Sequence, residues 1–201
     1  MFDNIKNKIK DYTQTVKTYN KIANIAQITR RYVAINGFDG VITIMGVLIG
    51  NFIIGTVDYK QVIISGSAVC ISLSVSGVWS AYNSESAERT REIQELEKST
   101  LHVLDGTVIS RAQSFASIIL AAINGLSSGT TAFIPLIPFF FGSHIPINIG
   151  YYLGASLAFL ILIGFGIFLG KISNRNLLIS IIKMVLAGIF VIGLGFLLEF
   201  I

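Results

Sequence analysis

Charge is what this chain has least of. Asp, Glu, Lys and Arg together make up 13% of its 201 residues, about half the share usual in a soluble domain. An ordinary water-soluble fold is therefore excluded. Cysteine is nearly absent. Cys70 stands alone, which rules out an intrachain disulfide, and its place inside an apolar run makes it a small packing residue rather than a metal or redox centre. Only two histidines occur, His102 and His144, a full apolar segment apart. With no Ser/His/Asp set, no HExxH and no phosphate loop, the chain does not read as an enzyme. Met1 to Arg31 holds many charges and no apolar core, so it does not read as a cleavable signal peptide. The net charge of +4 gives no basis for nucleic-acid binding.

What is abundant is apolar surface. Hydrophobic residues are 53% of the chain, and mean hydropathy is +0.72. Five segments reach the ~20 residues needed to cross a bilayer: Tyr32–Val57, Val62–Ser84, Ala112–Gly142, Ile147–Leu169 and Leu177–Ile201. Spanning backbone must satisfy its own hydrogen bonds, so the expected fold is all-α, a closed bundle of five transmembrane helices in a single membrane domain. Residues 1–31 precede the spans, 32–84 hold the first two, 85–111 form an acidic helical region, and 112–201 hold the last three.

Basic residues orient the bundle. Lys6, Lys8, Lys10, Lys17, Lys21, Arg30 and Arg31 precede the first span. Arg89, Arg91, Lys98 and Arg111 lie between the second and third, and Lys171, Arg175 and Lys183 lie around the connection between the last two. Lys60 alone falls on the other side. The positive-inside rule expects an integral membrane protein with a cytoplasmic N-terminus and an outer C-terminus, in the cell membrane if the source is prokaryotic. Ile5, Ile9, Tyr12, Val16, Tyr19, Ala23 and Ala26 recur at spacings of three and four, which predicts an amphipathic N-terminal helix. It can lie on an anionic leaflet of the lipid bilayer or pack against the helices of its own bundle.

One acid breaks the first apolar run. Asp39 sits in Gly37-Phe38-Asp39-Gly40-Val41-Ile42-Thr43, eight residues or ~12 Å past Arg31 along a helix. A carboxylate in hydrocarbon costs several kcal/mol unless it is paired, protonated, hydrated or bound to a cation. It therefore marks either a cation or proton site or a hydrogen-bonded structural acid at a helix break helped by Gly37 and Gly40. Asn36, Asp39, Thr43, Gly46 and Gly50 follow a helical rhythm and predict one polar or small face. Gly46 and Gly50 allow close helix approach. In the second segment Ser65, Ser72, Ser76 and Asn83 share a face, fit either for packing or for lining a pathway.

Beyond the second span, Glu85, Glu92, Glu88 and Glu95 fall within ~80° of arc on one helix. Such a stripe suits a hard or borderline divalent cation. It equally suits a solvated face, since Glu85 and Arg89 form an i,i+4 pair. The third apolar run is long and contains Gly125-Leu126-Ser127-Ser128-Gly129-Thr130-Thr131 followed by Pro135-Leu136-Ile137-Pro138. Pro135 and Pro138 predict a kinked crossing.

In combination these residues resemble the vacuolar iron transporter family of yeast and plant iron and manganese carriers and their prokaryotic relatives. Asn36 to Thr43 is similar to that family's first-span Asp-Gly signature. Ile71-Ser72-Leu73-Ser74 with Ser80 and the acidic helix is similar to its second-span region, and Pro135 to Pro138 to its third-span motif. The resemblance runs from about Arg30 to the C-terminus. It implies a homodimer that moves a divalent metal cation, iron(II) or manganese(II), out of the cytoplasm in exchange for protons. The metal is then cargo, with no permanently bound cofactor. Asp39 takes the translocation role, and Glu85, Glu88, Glu92 and Glu95 gather the metal. Leu73 and Gly77 stand where the family carries a methionine and a glutamate, and against that pattern the oxygen ligands Ser76, Asn36 or Thr43 are the replacements expected near Asp39. A non-transporting membrane scaffold or metal sensor is the alternative expectation.

Overall fold

Apolar runs of this length close their hydrogen bonds only as helices, and five long helices dominate the structure. It is a computed structural model that describes residues 14–174, 176–197 and 199. Helix α1 spans Ile25–Ile53, α2 Tyr59–Thr100, α3 Val108–Phe133, α4 Ile147–Ile172 and α5 Leu177–Leu197. A 3₁₀ stretch, Ile134–His144, joins α3 to α4, and no strand occurs among the described residues. All five are long and apolar enough to cross a membrane, the third when its 3₁₀ continuation to Gly142 is included. The protein is a polytopic helical membrane protein.

Local chemistry sets the helix ends. The Asp58 side chain accepts the Lys60 amide at 2.9 Å and caps α2. Thr107 caps α3 by accepting from the Ser110 amide at 3.3 Å. Gly55 turns the α1–α2 connection at φ 73°, a conformation glycine adopts without strain. At that end Tyr151 donates its hydroxyl to the Thr56 carbonyl at 3.1 Å, and Tyr59 donates to the carbonyl of Ile145. Two tyrosines thus tie both connections to the bundle.

The bundle is organised around α3, which packs along both α1 and α2. Lipid tails are as apolar as leucine, so helix association in a membrane depends on close backbone approach and interhelical hydrogen bonds. The Gly125–Thr131 stretch supplies both. A Cβ on Gly125 or Gly129 would overlap Ser74 of α2, and one on Gly40 of α1 would overlap the Ser128 carbonyl. Ser128 Oγ lies 3.3 Å from the Leu73 carbonyl, and Thr131 Oγ1 lies 2.9 Å from that of Gly37. Two hydroxyls three residues apart therefore reach opposite neighbours. On the other side, Val41 and Met45 of α1 pack with Ala158, Leu162 and Phe165 of α4. Helix α5 is outermost, seated through Gly166 on Ile181 and through Gly188 on Leu162.

Three expectations change. The first helix begins at Ile25 rather than Tyr32, because the chain breaks only at Asn24, which is left-handed at φ 51°. The second span and the acidic region are one unbroken helix of 42 residues, ended by left-handed Leu101. The third crossing is α-helix as far as Phe133. Pro135 and Pro138 then convert it to 3₁₀ geometry, with Leu136 and Phe139 fully buried. Of the N-terminal helix, residues 14–23 are helical. Tyr19 packs on Phe115 with ring centroids 5.5 Å apart, and Ala23 is buried with Ala116 and Leu120. Part of this segment therefore packs on its own bundle, while Val16, Lys17 and Lys21 stay exposed. Ile5, Ile9, Tyr12, Lys6, Lys8, Lys10 and Arg175 lie outside the described residues.

Candidate functional site

Asp39 lies on the outward side of α1. It is exposed, and among the described residues its carboxylate accepts no hydrogen bond and joins no ion pair; only its backbone carbonyl is engaged, by Thr43 Oγ1 at 2.7 Å. Thr43 and Gly46 continue the exposed stripe, and a Cβ on Gly46 or Gly50 would meet no atom within 4 Å. The opposite side of the same helix is closed, since Val41, Ile44 and Met45 are buried. Asp39 thus projects outward beside the exposed Thr43, with Gly46 further along the same face.

Asn36 does not share this face. It turns inward, where Nδ2 donates to the Tyr32 carbonyl at 3.1 Å and to Oδ1 of Asn124 on α3. Asn124 in turn donates Nδ2 to the Gly77 carbonyl of α2 at 2.8 Å. The expected single face therefore splits, with Asn36 belonging to a polar rung across α1, α3 and α2. Ser76 is exposed on α2 and makes no hydrogen bond to Asp39 among the described residues. Gly77 has no room for a side chain: its Cβ would lie 2.8 Å from the Cα of Gly125. Close backbone approach between α2 and α3 therefore excludes any larger residue here.

Two arginines pair with three of the four stripe glutamates, while Glu88 is exposed outside these pairs. Arg89 is buried, 7% exposed, and so is Glu85, also 7%. Arg89 Nε lies 3.4 Å from Glu85, and Nη1 lies 3.1 Å from Glu92. Gln113 of α3 accepts from Arg89 at 2.9 Å and donates to Glu92 at the same distance. The other carboxylate oxygen of Glu85 accepts from the Tyr32 hydroxyl at 2.5 Å, and Arg89 Nη2 donates to the Ala23 carbonyl at 3.3 Å. Glu95 pairs with Arg91 at 2.9 Å, fully on the surface. The four glutamates therefore do not converge on one point. Among the described residues, no three His, Cys, Asp or Glu side chains come together closely enough to hold a metal ion.

The spacing of Glu85 and Arg89 signals their pair. The parts played by Tyr32, Gln113 and Asn124 were not anticipated. Each is a polar residue near or within an apolar run, and that cost of burial is the signal available in the sequence.

The chain is 31% identical over 172 residues to the uncharacterized protein MJ0645 of Methanocaldococcus jannaschii, a match that covers 84% of this chain and 87% of the archaeal one. No family model matches it. Identity at this level along nearly the whole membrane domain has one consequence for classification: the chain belongs to the same protein family as archaeal MJ0645.

Proposed function

We propose that the protein is a secondary transporter that carries a divalent metal cation, iron(II) or manganese(II), out of the cytoplasm in exchange for protons. The observation that carries this reading is the unpartnered Asp39 carboxylate on the open face of α1. An ionised carboxylate facing hydrocarbon is too costly to leave uncompensated, and a cation or a proton compensates it. A single protomer offers too few ligands there. Two copies meeting along Asp39, Thr43, Gly46 and Gly50 would bring two carboxylates together, with glycines permitting close approach. The homodimer is thus part of the proposal. The resemblance of Asn36–Thr43 and Pro135–Pro138 to the vacuolar iron transporters supports the same assignment. The concentration of basic residues at one end of the bundle supports a cytoplasmic N-terminus.

The pairing of Glu85, Glu92 and Glu95 with arginine favours a second reading, a membrane scaffold or sensor that does not transport. Binding stoichiometry tests the first. Anaerobic iron(II) titration of the purified protein should reach one ion per two chains, and Asp39→Asn should lose it. One ion per chain, or binding indifferent to Asp39→Asn, contradicts a site shared by two Asp39 carboxylates.

A further inference from the structure

The end of the bundle that carries α1's start and α4's finish holds a cleft of about 540 Å³ between those two helices. Its floor is apolar, made by Ile35, Leu169 and Ile172, and its rim carries Gln27, Arg30 and Arg31. No Asp or Glu lines it. Both arginines are exposed, and neither is ion-paired among the described residues. Arg30 donates Nε to the Ala26 carbonyl at 3.3 Å, and the Arg31 guanidinium sits 5.8 Å from the ring centre of Tyr32. Arg89 and Arg91, by contrast, already hold carboxylates. A second cleft of about 450 Å³ adjoins the first across Leu169 and is rimmed by Ser173, Asn176, Ser180 and Lys183, again without an acid.

The placement of charge over apolar floor matters. Arg30 and Arg31 directly precede the apolar run of α1, and Lys171 follows that of α4. The cleft therefore straddles the boundary between headgroups and hydrocarbon, its cations above and its apolar floor below. A guanidinium offers several donors in a planar fork that matches phosphate oxygens. Basic pockets between spanning helices suit anionic lipid headgroups.

We infer that this cleft is a binding site for an anionic phospholipid, its phosphate held by Arg30 and Arg31 and an acyl chain laid along Ile35, Leu169 and Ile172. The inference is independent of any transport by Asp39. A free anion would use the arginines and leave the floor bare. A second copy of the chain would bring its own like-charged Arg30 and Arg31 to the same rim.

Native mass spectrometry of the full-length protein in detergent tests this, with phosphatidylglycerol or phosphatidylcholine added. Wild type should retain phosphatidylglycerol in preference to phosphatidylcholine. Arg30→Gln combined with Arg31→Gln should weaken that retention roughly thirtyfold. Lys17→Gln with Lys21→Gln removes the same charge from an exposed helix that does not line the cleft, and it should retain the preference. The site is overturned if both double variants behave alike, or if the arginine variant retains phosphatidylglycerol as wild type does. Retention of added inorganic phosphate by wild type, with no phosphatidylglycerol retained, overturns the lipid assignment in favour of a free anion. An arginine variant that changes oligomeric state with lipid retention unaltered assigns the cleft to a protein interface.

Discussion

Arg89 of α2 donates from Nη1 to Oε1 of Gln113 on α3 at 2.9 Å, and Gln113 returns a donor to the same glutamate, Glu92, that Arg89 pairs with. This closed triangle fixes the long extension of α2 against the start of α3. Because Arg89 also reaches Glu85 and the Ala23 carbonyl, one guanidinium joins α2, α3 and the N-terminal helix.

Removing that guanidinium leaves Glu85 buried without its counter-charge. Arg89→Met should therefore destabilise the folded protein by about 3 kcal/mol, the low end for a broken buried pair because Glu92 is partly solvated. Thermal unfolding in detergent measures this. Glu85→Gln added to Arg89→Met should cost less than the sum of the two single changes. An unshifted melting temperature for Arg89→Met contradicts the anchoring role.

Glycines in the α2–α3 seam and on the open face of α1 predict opposite outcomes. Gly125→Leu drives a side chain into Ser74 and Val78, and it should lower stability by about 3 kcal/mol or prevent folding. At Gly46 a Cβ would meet no atom within 4 Å, and the residue opens on a cleft toward Val191 and Leu194 of α5, so Gly46→Leu should cost far less stability than Gly125→Leu. It should, however, reduce the dimer fraction seen by light scattering after size exclusion. A fully dimeric Gly46→Leu protein would show that this face is not where two copies meet.

The polar rung of Asn36, Asn124 and the Gly77 carbonyl predicts a smaller effect. Hydrogen bonds between membrane helices contribute on average less than a surface comparison suggests. Asn124→Leu, which loses both contacts, should cost about 1 kcal/mol in a reversible detergent-unfolding assay. A cost near zero would mean that the rung contributes register without stability.

Much of the fold was legible in the sequence, because apolar length depends on composition along a line. The five crossings and the interruption at Pro135 and Pro138 are of this kind. The helix starts were less legible: Arg30 and Arg31 look like a boundary, yet a helix continues through them, since arginine is a good helix former and its charge can reach past the apolar edge. Sites depend on which neighbour a residue meets. Asn36 and Asp39 stand three residues apart, and only packing against α3 decides that one turns inward while the other faces out. The glutamate stripe follows correct helical spacing, but the spacing could not reveal that Gln113, 24 residues beyond Arg89, would help Arg89 hold Glu92.

Asp39 remains the residue on which the functional account turns. Its most direct test is iron(II) and manganese(II) uptake into proteoliposomes under an imposed pH gradient, comparing wild type with Asp39→Asn. The account predicts uptake by wild type that collapses with the gradient, and none by folded Asp39→Asn protein. Equal uptake by both proteins, or none by folded wild type for either metal, would contradict it.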